Sequence, residues 1–207
     1  MAQLPPQSFV IRTENFLLRP LTRDDACEAL ESWPEDEGAM EMLNAARRRW
    51  SIADQVAYFS TSGNPSRHLL GLFPRNQKEP IGIFIVKLRV EDSVVLVTHL
   101  LGDKEWRGTG ASREASIAIF DYLFDTLGFE KAKANVKTAN KAMQWLLLNG
   151  GWRKEAHLIK HLRHKPSGRR DDLYVFGISA DEWRAKRNSA NTVPKRQRSP
   201  TKPVGNP

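Results

Sequence analysis

The fold class predicted by this sequence is an α+β domain with a mixed central sheet of six to seven strands flanked by three to four helices. Two patterns predict it. Runs of strand length, either alternating or uniformly apolar, outnumber helical runs, and the two kinds are interleaved along the chain. A length of 207 residues suits one domain with a full hydrophobic core and does not call for a second. No internal repeat is evident.

Taken in order, Phe9 to Pro20 reads as a strand, closed by a proline that cannot donate to a sheet ladder. Thr22 is placed to N-cap a helix running through Trp33, with Asp24 and Asp25 at its positive end, and Pro34 ends it. Ser51 with Asp54 forms a capping-box variant ahead of Val56-Ala57-Tyr58-Phe59. His68 to Phe73 and Ile81 to Arg89 read as strands joined by the polar turn 74–79. Residues 94–101 are apolar enough for a central strand. The following helix carries Ile117, Phe120, Leu123, Phe124 and Leu127 on one stripe and stops at Gly128. Residues 131–136 alternate as a short strand. Asn140 caps a helix bearing Met143, Leu146 and Leu147, ended by Gly150 or Gly151. Strands over 154–164 and 172–178 close the domain.

The most informative stretch is Trp106-Arg107-Gly108-Thr109-Gly110-Ala111-Ser112, between the apolar strand and the helix that follows. A glycine-bearing turn at a helix N-terminus exposes backbone N–H groups that lack intrahelical partners, at the positive end of the helix dipole. Such a turn is an anion site, so a phosphate-bearing ligand is expected there. The Gly-Lys of a Walker loop is absent, and the spacing is not that of the dinucleotide fingerprint.

The spacing Arg107-x-x-Gly110-x-Ser112 resembles the acyl-CoA signature of the GCN5-related N-acetyltransferase (GNAT) superfamily, Gln/Arg-x-x-Gly-x-Gly/Ala, with serine in the last place. Three further stretches resemble, in the right order, the ribosomal-protein alanine N-acetyltransferase branch. These are Thr13 to Leu21 followed by Asp24-Asp25-Ala26; Asn140 with a helix ending Asn149-Gly150-Gly151-Trp152; and Lys154-Glu155-Ala156 through Asp171 to Phe176 with Glu182-Trp183. The resemblance spans residues 9 to 183. It implies a mostly antiparallel sheet in which strand 94–101 splays from strand 131–136 to admit acetyl-CoA. It also implies acetyl transfer to a primary amine, on a protein N-terminus or a small molecule, by direct attack in a ternary complex. No metal is required.

On this resemblance, Arg107 and the N–H groups of Gly108, Thr109, Gly110, Ala111 and Ser112 would hold the pyrophosphate, Thr109 and Ser112 adding hydroxyls. The pantetheine arm would pair with freed backbone around Thr98, Leu100 and Leu101 and would meet Asn140. The tyrosine and serine that often donate protons in the family are replaced by Leu146 and Met143, so no general acid is assigned. His99 is the candidate base or water-relay partner, the alternative being a sheet histidine with no catalytic task. Cys27 has no nearby histidine to make it a nucleophile. Asp103 and Glu105 read as solvated loop carboxylates, and His157, His161 and His164 as a surface or substrate rim. Deprotonating an α-amine at pH 7 costs about 1 kcal/mol against roughly 4.6 kcal/mol for a lysine, so a site without a strong base suits the α-amine.

Two other functions stay open. One is a detoxifying acetyltransferase for a polyamine, antibiotic or amino-acid analogue, for which the acidic run Glu35-Asp36-Glu37 is the one dense patch in the acceptor half, although its plainer reading is a solvated loop. The other is a regulatory module that binds CoA without turnover. The net charge of +8 resides in the tail: seven of the 32 basic residues follow residue 183, leaving 25 against 24 acidic groups before it. Residues 1–8 are therefore read as an extension, 9–183 as the domain, and 184–207 as a disordered tail rich in Pro, Ser and Asn. That tail is either solubilising or a salt-sensitive anchor for ribosome, RNA or anionic lipid. A homodimer is left open. A single cysteine excludes internal disulfides, and neither a membrane span nor a secretory signal is evident, so a cytoplasmic protein is expected.

Overall fold

A computed structural model describes residues 1–6, 8–164 and 167–191. Among these residues eight strands form one sheet: β1 (Ile11–Arg12), β2 (Phe16–Pro20), β3 (Arg67–Pro74), β4 (Gly82–Arg89), β5 (Val94–Leu101), β6 (Lys131–Lys137), β7 (Arg153–Arg163) and β8 (Arg170–Ser179). Their order is β1-β2-β3-β4-β5-β6-β8-β7, and every neighbouring pair is antiparallel except β5 with β6. The sheet has one strand more than expected because the segment from Phe9 to Pro20 folds back on itself. Thr13 N donates to Phe16 O at 2.9 Å, and Phe16 N donates to Thr13 Oγ1 at 2.8 Å, making a tight turn between β1 and β2.

Among the described residues five α-helices accompany the sheet: α1 (Glu37–Leu43), α2 (Ile52–Phe59), α3 (Ala111–Asp121), α4 (Lys141–Asn149) and α5 (Ala180–Asn191). Period-two alternation along β3 divides the core. Leu70 and Leu72 face α3 with Phe16, Phe84, Val95, Ile119 and Phe176, whereas Leu69 and Phe73 join Leu21, Leu30, Trp33, Trp50 and Phe59 on the other face. Ala111 and Ala115 are fully buried, so α3 approaches the sheet closely. Past Asp121 the chain continues as a single π turn (Tyr122–Thr126), and Gly128 at φ 72° ends it.

Three expectations are corrected. The helix expected from Thr22 to Trp33 is a series of 3-10 turns at Arg23–Asp25, Glu28–Leu30 and Trp33–Glu35. The buried Gln55 side chain breaks the helix: it accepts from Cys27 N and donates to Cys27 O and Trp50 O, all at 3.0 Å, so tertiary bonds replace helical ones. The acidic run at 35–37 is no free loop; Asp36 accepts from Ala39 N at 3.0 Å and starts α1. The segment from residue 184 begins helically, since α5 runs to Asn191 and Arg187 Nη2 reaches Asp121 Oδ2 at 3.1 Å. The rest of the expected tail lies outside the described residues.

Candidate active site

The glycine-bearing loop begins where β5 ends. A short 3-10 turn (Lys104–Trp106), with Asp103 accepting from Glu105 N at 3.0 Å, buries Trp106 and sets up two left-handed glycines, Gly108 at φ 80° and Gly110 at φ 96°. A Cβ built on either glycine would meet no atom within 4 Å, so the space above the loop is open. Some of its amides are already used. Arg107 N donates to Lys104 O, Thr109 N to Trp106 O and Ala111 N to Thr109 Oγ1. Thr109 Oγ1 donates to Trp106 O at 2.7 Å, which commits that hydroxyl to the loop. The amides of Gly108, Gly110, Ser112 and Arg113 carry no partner among the described residues. No side chain caps α3, so four donors and the helix dipole converge on one open site.

Arg107 points elsewhere. Its Nη1 donates to Asp36 Oδ2 at 2.7 Å, and its Nε and Nη2 donate to Leu101 O at 3.1 and 3.0 Å. The guanidinium is thus bonded to protein, and the Leu101 carbonyl is occupied.

The second component is a split in the sheet. β5 and β6 pair only at Val94↔Lys131, Val95↔Ala132 and Leu96↔Lys133. Beyond Leu96, β5 stays on β4 through Leu101 while β6 stays on β8 through Lys137, so the strands diverge. Alternate residues of β5 past Leu96 therefore aim backbone N–H and C=O groups into the gap. The gap opens into a cavity of about 430 Å³, lined by Thr98, His99, Ser116, Asn135, Asn140 and Leu146 among others. Asn140 Oδ1 accepts from Met143 N at 3.0 Å as the N-cap of α4, leaving Nδ2 as the donor it can offer the cleft. Met143 and Leu146 make that wall apolar. A second cavity of about 210 Å³ lies between β4–β5 and the α1–α2 segment, against Met40, Trp50, Ile83, Ile85 and Leu100. Leu43, Thr98 and His99 line both cavities.

His99 stacks on Phe84, its cross-strand partner, with ring centroids 5.0 Å apart. The residue as a whole is half-buried, and desolvation of its ring among apolar walls pushes the pKa down to about 4. The imidazole is neutral at pH 7. Burial pushes the Cys27 thiol up, and no histidine stands among the groups acting on it. Of the other histidines, His157 Nε2 lies 3.0 Å from Asp172 Oδ2 and His161 is exposed. His164 is buried, with Nδ1 2.6 Å from Ser167 Oγ; its Nε2 is 2.6 Å from Glu41 Oε2 but out of line for a hydrogen bond. No cluster of His, Cys, Asp or Glu with the makings of a metal site occurs among the described residues.

Sequence reasoning missed Leu43 because α1 went unread. Ser116 left a usable signal: it follows Ser112 by four residues, hence on the same helical face.

A comparison with protein families matches residues 15–153 to the acetyltransferase (GNAT) domain. The chain belongs to the GNAT acetyltransferase family. Among curated proteins nothing matches it. Solved structures do. A GCN5-related N-acetyltransferase from Brucella melitensis is 16% identical, with a TM-score of 0.79 over 92% of this chain and 87% of that one. The ribosomal-protein-S5-alanine acetyltransferase from Vibrio fischeri is 17% identical, with a TM-score of 0.71 over 84% and 98%. The spermidine N-acetyltransferase from Vibrio cholerae, solved with CoA and spermine, is 18% identical, with a TM-score of 0.71 over 83% and 99%. At such identities these likenesses speak for the fold alone.

The protein is thus a GNAT-family N-acetyltransferase, and acetyl-CoA is its co-substrate. The four unpartnered amides, the α3 N-terminus without a side-chain cap and the open space over Gly108 and Gly110 fit a pyrophosphate. No helix among the described residues is long and apolar enough to cross a membrane.

Proposed function

We propose that this N-acetyltransferase acetylates a primary amine, either a protein N-terminal α-amine or that of a small molecule, by direct attack in a ternary complex. The observation that carries the reading is the meeting of the two cavities at Leu43, Thr98 and His99. One cavity lies in the strand split, the other on the opposite face of β5, so two substrates entering from opposite sides would meet at that point. Acetyl-CoA supplies an activated acyl thioester. The free amides of Gly108, Gly110, Ser112 and Arg113 hold its pyrophosphate, the free edge of β5 pairs with the pantetheine amides, and Asn140 Nδ2 donates to the same arm. Hydrogen bonds to charged groups contribute about 1.5–3 kcal/mol each, so a few such amides suffice as an anchor.

The amine nitrogen attacks the thioester carbonyl carbon, the C–N bond forms and the C–S bond breaks. The ammonium proton leaves to water, and the thiolate takes one from solvent. His99, with a pKa of about 4, is too weak a base to take the proton from an α-amine outright. It orients a water instead. Catalysis then rests largely on holding the two substrates together.

The ribosomal-protein alanine branch is the finer family placement we favour, supported by the ordered sequence stretches and by the fold shared with the Vibrio fischeri structure; it groups the chain by resemblance and does not fix the acceptor's first residue, which the lining of the second cavity decides. A polyamine acceptor is the second reading, prompted by the Vibrio cholerae structure. Calorimetric titration with acetyl-CoA, followed by thiol release across a panel of amines, tests the proposal. Micromolar binding lost in Gly110→Val, with thiol release that depends on an amine, is the expected result. Failure of the wild type to bind acetyl-CoA would overturn it.

A further inference from the structure

The second cavity carries information about the acceptor, on the assumption that the amine enters from that side as proposed above. Its walls come from four places: Pro34 of the Trp33–Glu35 turn, α1, the 45–50 connection with α2, and strands β4 and β5. Met40, Leu43, Trp50, Ile83, Ile85 and Leu100 make it apolar, and no aspartate or glutamate lines it. Arg48 is the one charged side chain there, apart from His99, which is neutral. Arg48 is 57% exposed at the side chain and lies 3.6 Å from Asp54 Oδ1, so it stands near solvent.

Carboxylates nearby have other partners. Asp36 serves Ala39 N and Arg107, Glu41 serves Lys137 and Arg169, and Glu31 serves Arg49. A second or third ammonium entering with the substrate would therefore lose its water and find no counter-charge, with an arginine close by. That cost excludes polycations from this cavity. An apolar group gains from the same walls. The volume of about 210 Å³ corresponds to about seven molecules of liquid water, room for one compact side chain.

We propose that the enzyme selects α-amines whose neighbouring side chain is apolar and of leucine, methionine or phenylalanine size, and that this cavity buries that side chain while the amine reaches Thr98 and His99. A peptide N-terminus and a free amino-acid amide both carry such an amine, since both present the same groups. Met40, Ala45 and Ile85 set the size limit.

The test uses the wild-type protein with saturating acetyl-CoA, measuring thiol release. The acceptors are tripeptide amides Xaa-Ala-Ala with Xaa as Leu, Met, Phe, Ala, Lys or Glu, together with leucinamide and spermidine. A pocket that distinguishes by several carbons gives at least a tenfold preference in kcat/KM for Leu, Met or Phe over Ala and Lys. Spermidine stays at background. Leucinamide matching the leucyl peptide assigns the substrate to small amines; a rate well below it assigns a peptide, and either accords with the proposal. Ala45→Phe fills the cavity and collapses the Leu-to-Ala ratio at least tenfold with acetyl-CoA affinity retained. Ile85→Ala enlarges it and shifts preference from Leu toward Phe, which keeps the test decisive if the first variant does not fold. Equal rates for Leu and Ala peptides, or a preference for spermidine, in a protein that binds acetyl-CoA would overturn this inference and leave acetyl transfer standing. Failure to bind acetyl-CoA would remove both.

Discussion

Arg107 Nη1 and Asp36 Oδ2 lie 2.7 Å apart, joining the first residue of the phosphate-loop signature to the N-cap of α1. The same guanidinium caps Leu101 O, the last carbonyl of β5, so one side chain ties the loop, the central strand and the acceptor-side helix together. Its cationic head is engaged by protein, and the amides behind it are left to face a phosphate. Arg107→Ala is therefore expected to weaken acetyl-CoA binding less than tenfold in calorimetry. Its stability cost should be about 1 kcal/mol, since the side chain is 38% exposed and partly screened. Gly110→Val, which forces a β-branched residue to φ 96°, should weaken binding more than tenfold. An Arg107→Ala variant that binds no acetyl-CoA at all would show that the arginine leaves Asp36 to grip the phosphate.

Acid should loosen the same junction. The Ala39 amide and the Arg107 guanidinium hold the Asp36 carboxyl down to about 2, below its ordinary 3.8. A depressed carboxyl pKa contributes stability that is whole above the unfolded value and is lost as pH falls from 3.8 toward 2. The size is about 2 kcal/mol. Urea midpoints for wild type and Asp36→Asn should converge as pH drops from 5 to 2.5, with the variant clearly lower at pH 5. Parallel curves would mean that the carboxylate contributes nothing.

How much of this could be read beforehand depended on how local the determinants are. β5, its glycine turn and α4 were legible because a continuous apolar run, Gly108 with Gly110, and the Asn140 cap all act within a few residues. α1 was not. It has seven residues, one of them Gly38, and its anchors are Arg107 and Lys137, which lie 71 and 96 positions from Asp36 and Glu41. The expected helix from Thr22 gave way to Gln55, 28 residues from Cys27. The strand, turn and helix around the glycine loop were therefore readable, and the walls of the second cavity, built from α1 and the 45–50 connection, were not. α5 was hidden by its polar composition; it docks through Trp183, whose Nε1 donates to Asp121 Oδ1 at 2.7 Å.

His99 predicts a dependence at milder pH. Burial lowers its pKa from 6.5 to about 4, so the unfolded chain binds a proton between those values and the folded protein does not. Stability should be unaffected above 6.5 and should decline as pH falls from 6.5 to 4. The loss is roughly 3 kcal/mol at most, less to the extent that cleft water reaches the ring. His99→Gln should flatten that stretch of the stability curve. The kcat/KM profile of the wild type should show no inflection near 6.5, its rise with pH following the acceptor amine. An inflection near 6.5 that vanishes in His99→Gln would restore a titrating base.

Lys137 stands at the centre of the ion-pair cluster that holds α1. It is 3% exposed and lies between Glu41 Oε1 at 3.2 Å and Asp171 Oδ2 at 2.7 Å, with Arg169 bonded to both carboxylates. Arg169 and Lys137 hold the Asp171 carboxyl down to about 2. The cluster fastens α1 to the β7–β8 hairpin, and Asn44 Nδ2 adds a bond to Arg163 O at 3.1 Å. Leu43, which lines both cavities, is carried by the helix so fastened. Removing one member leaves a buried charge short of a partner, which typically costs more than the pair contributed. Glu41→Ala should cost about 1–3 kcal/mol in urea unfolding. It should also raise KM for the amine severalfold while KM for acetyl-CoA stays within twofold, because Glu41 lies in the C-terminal half of α1 beside Leu43, whereas the helix meets the glycine loop only at its other end, through Asp36 and Arg107. Equal rises in both constants would mean that the cluster supports the whole cleft instead of its acceptor half.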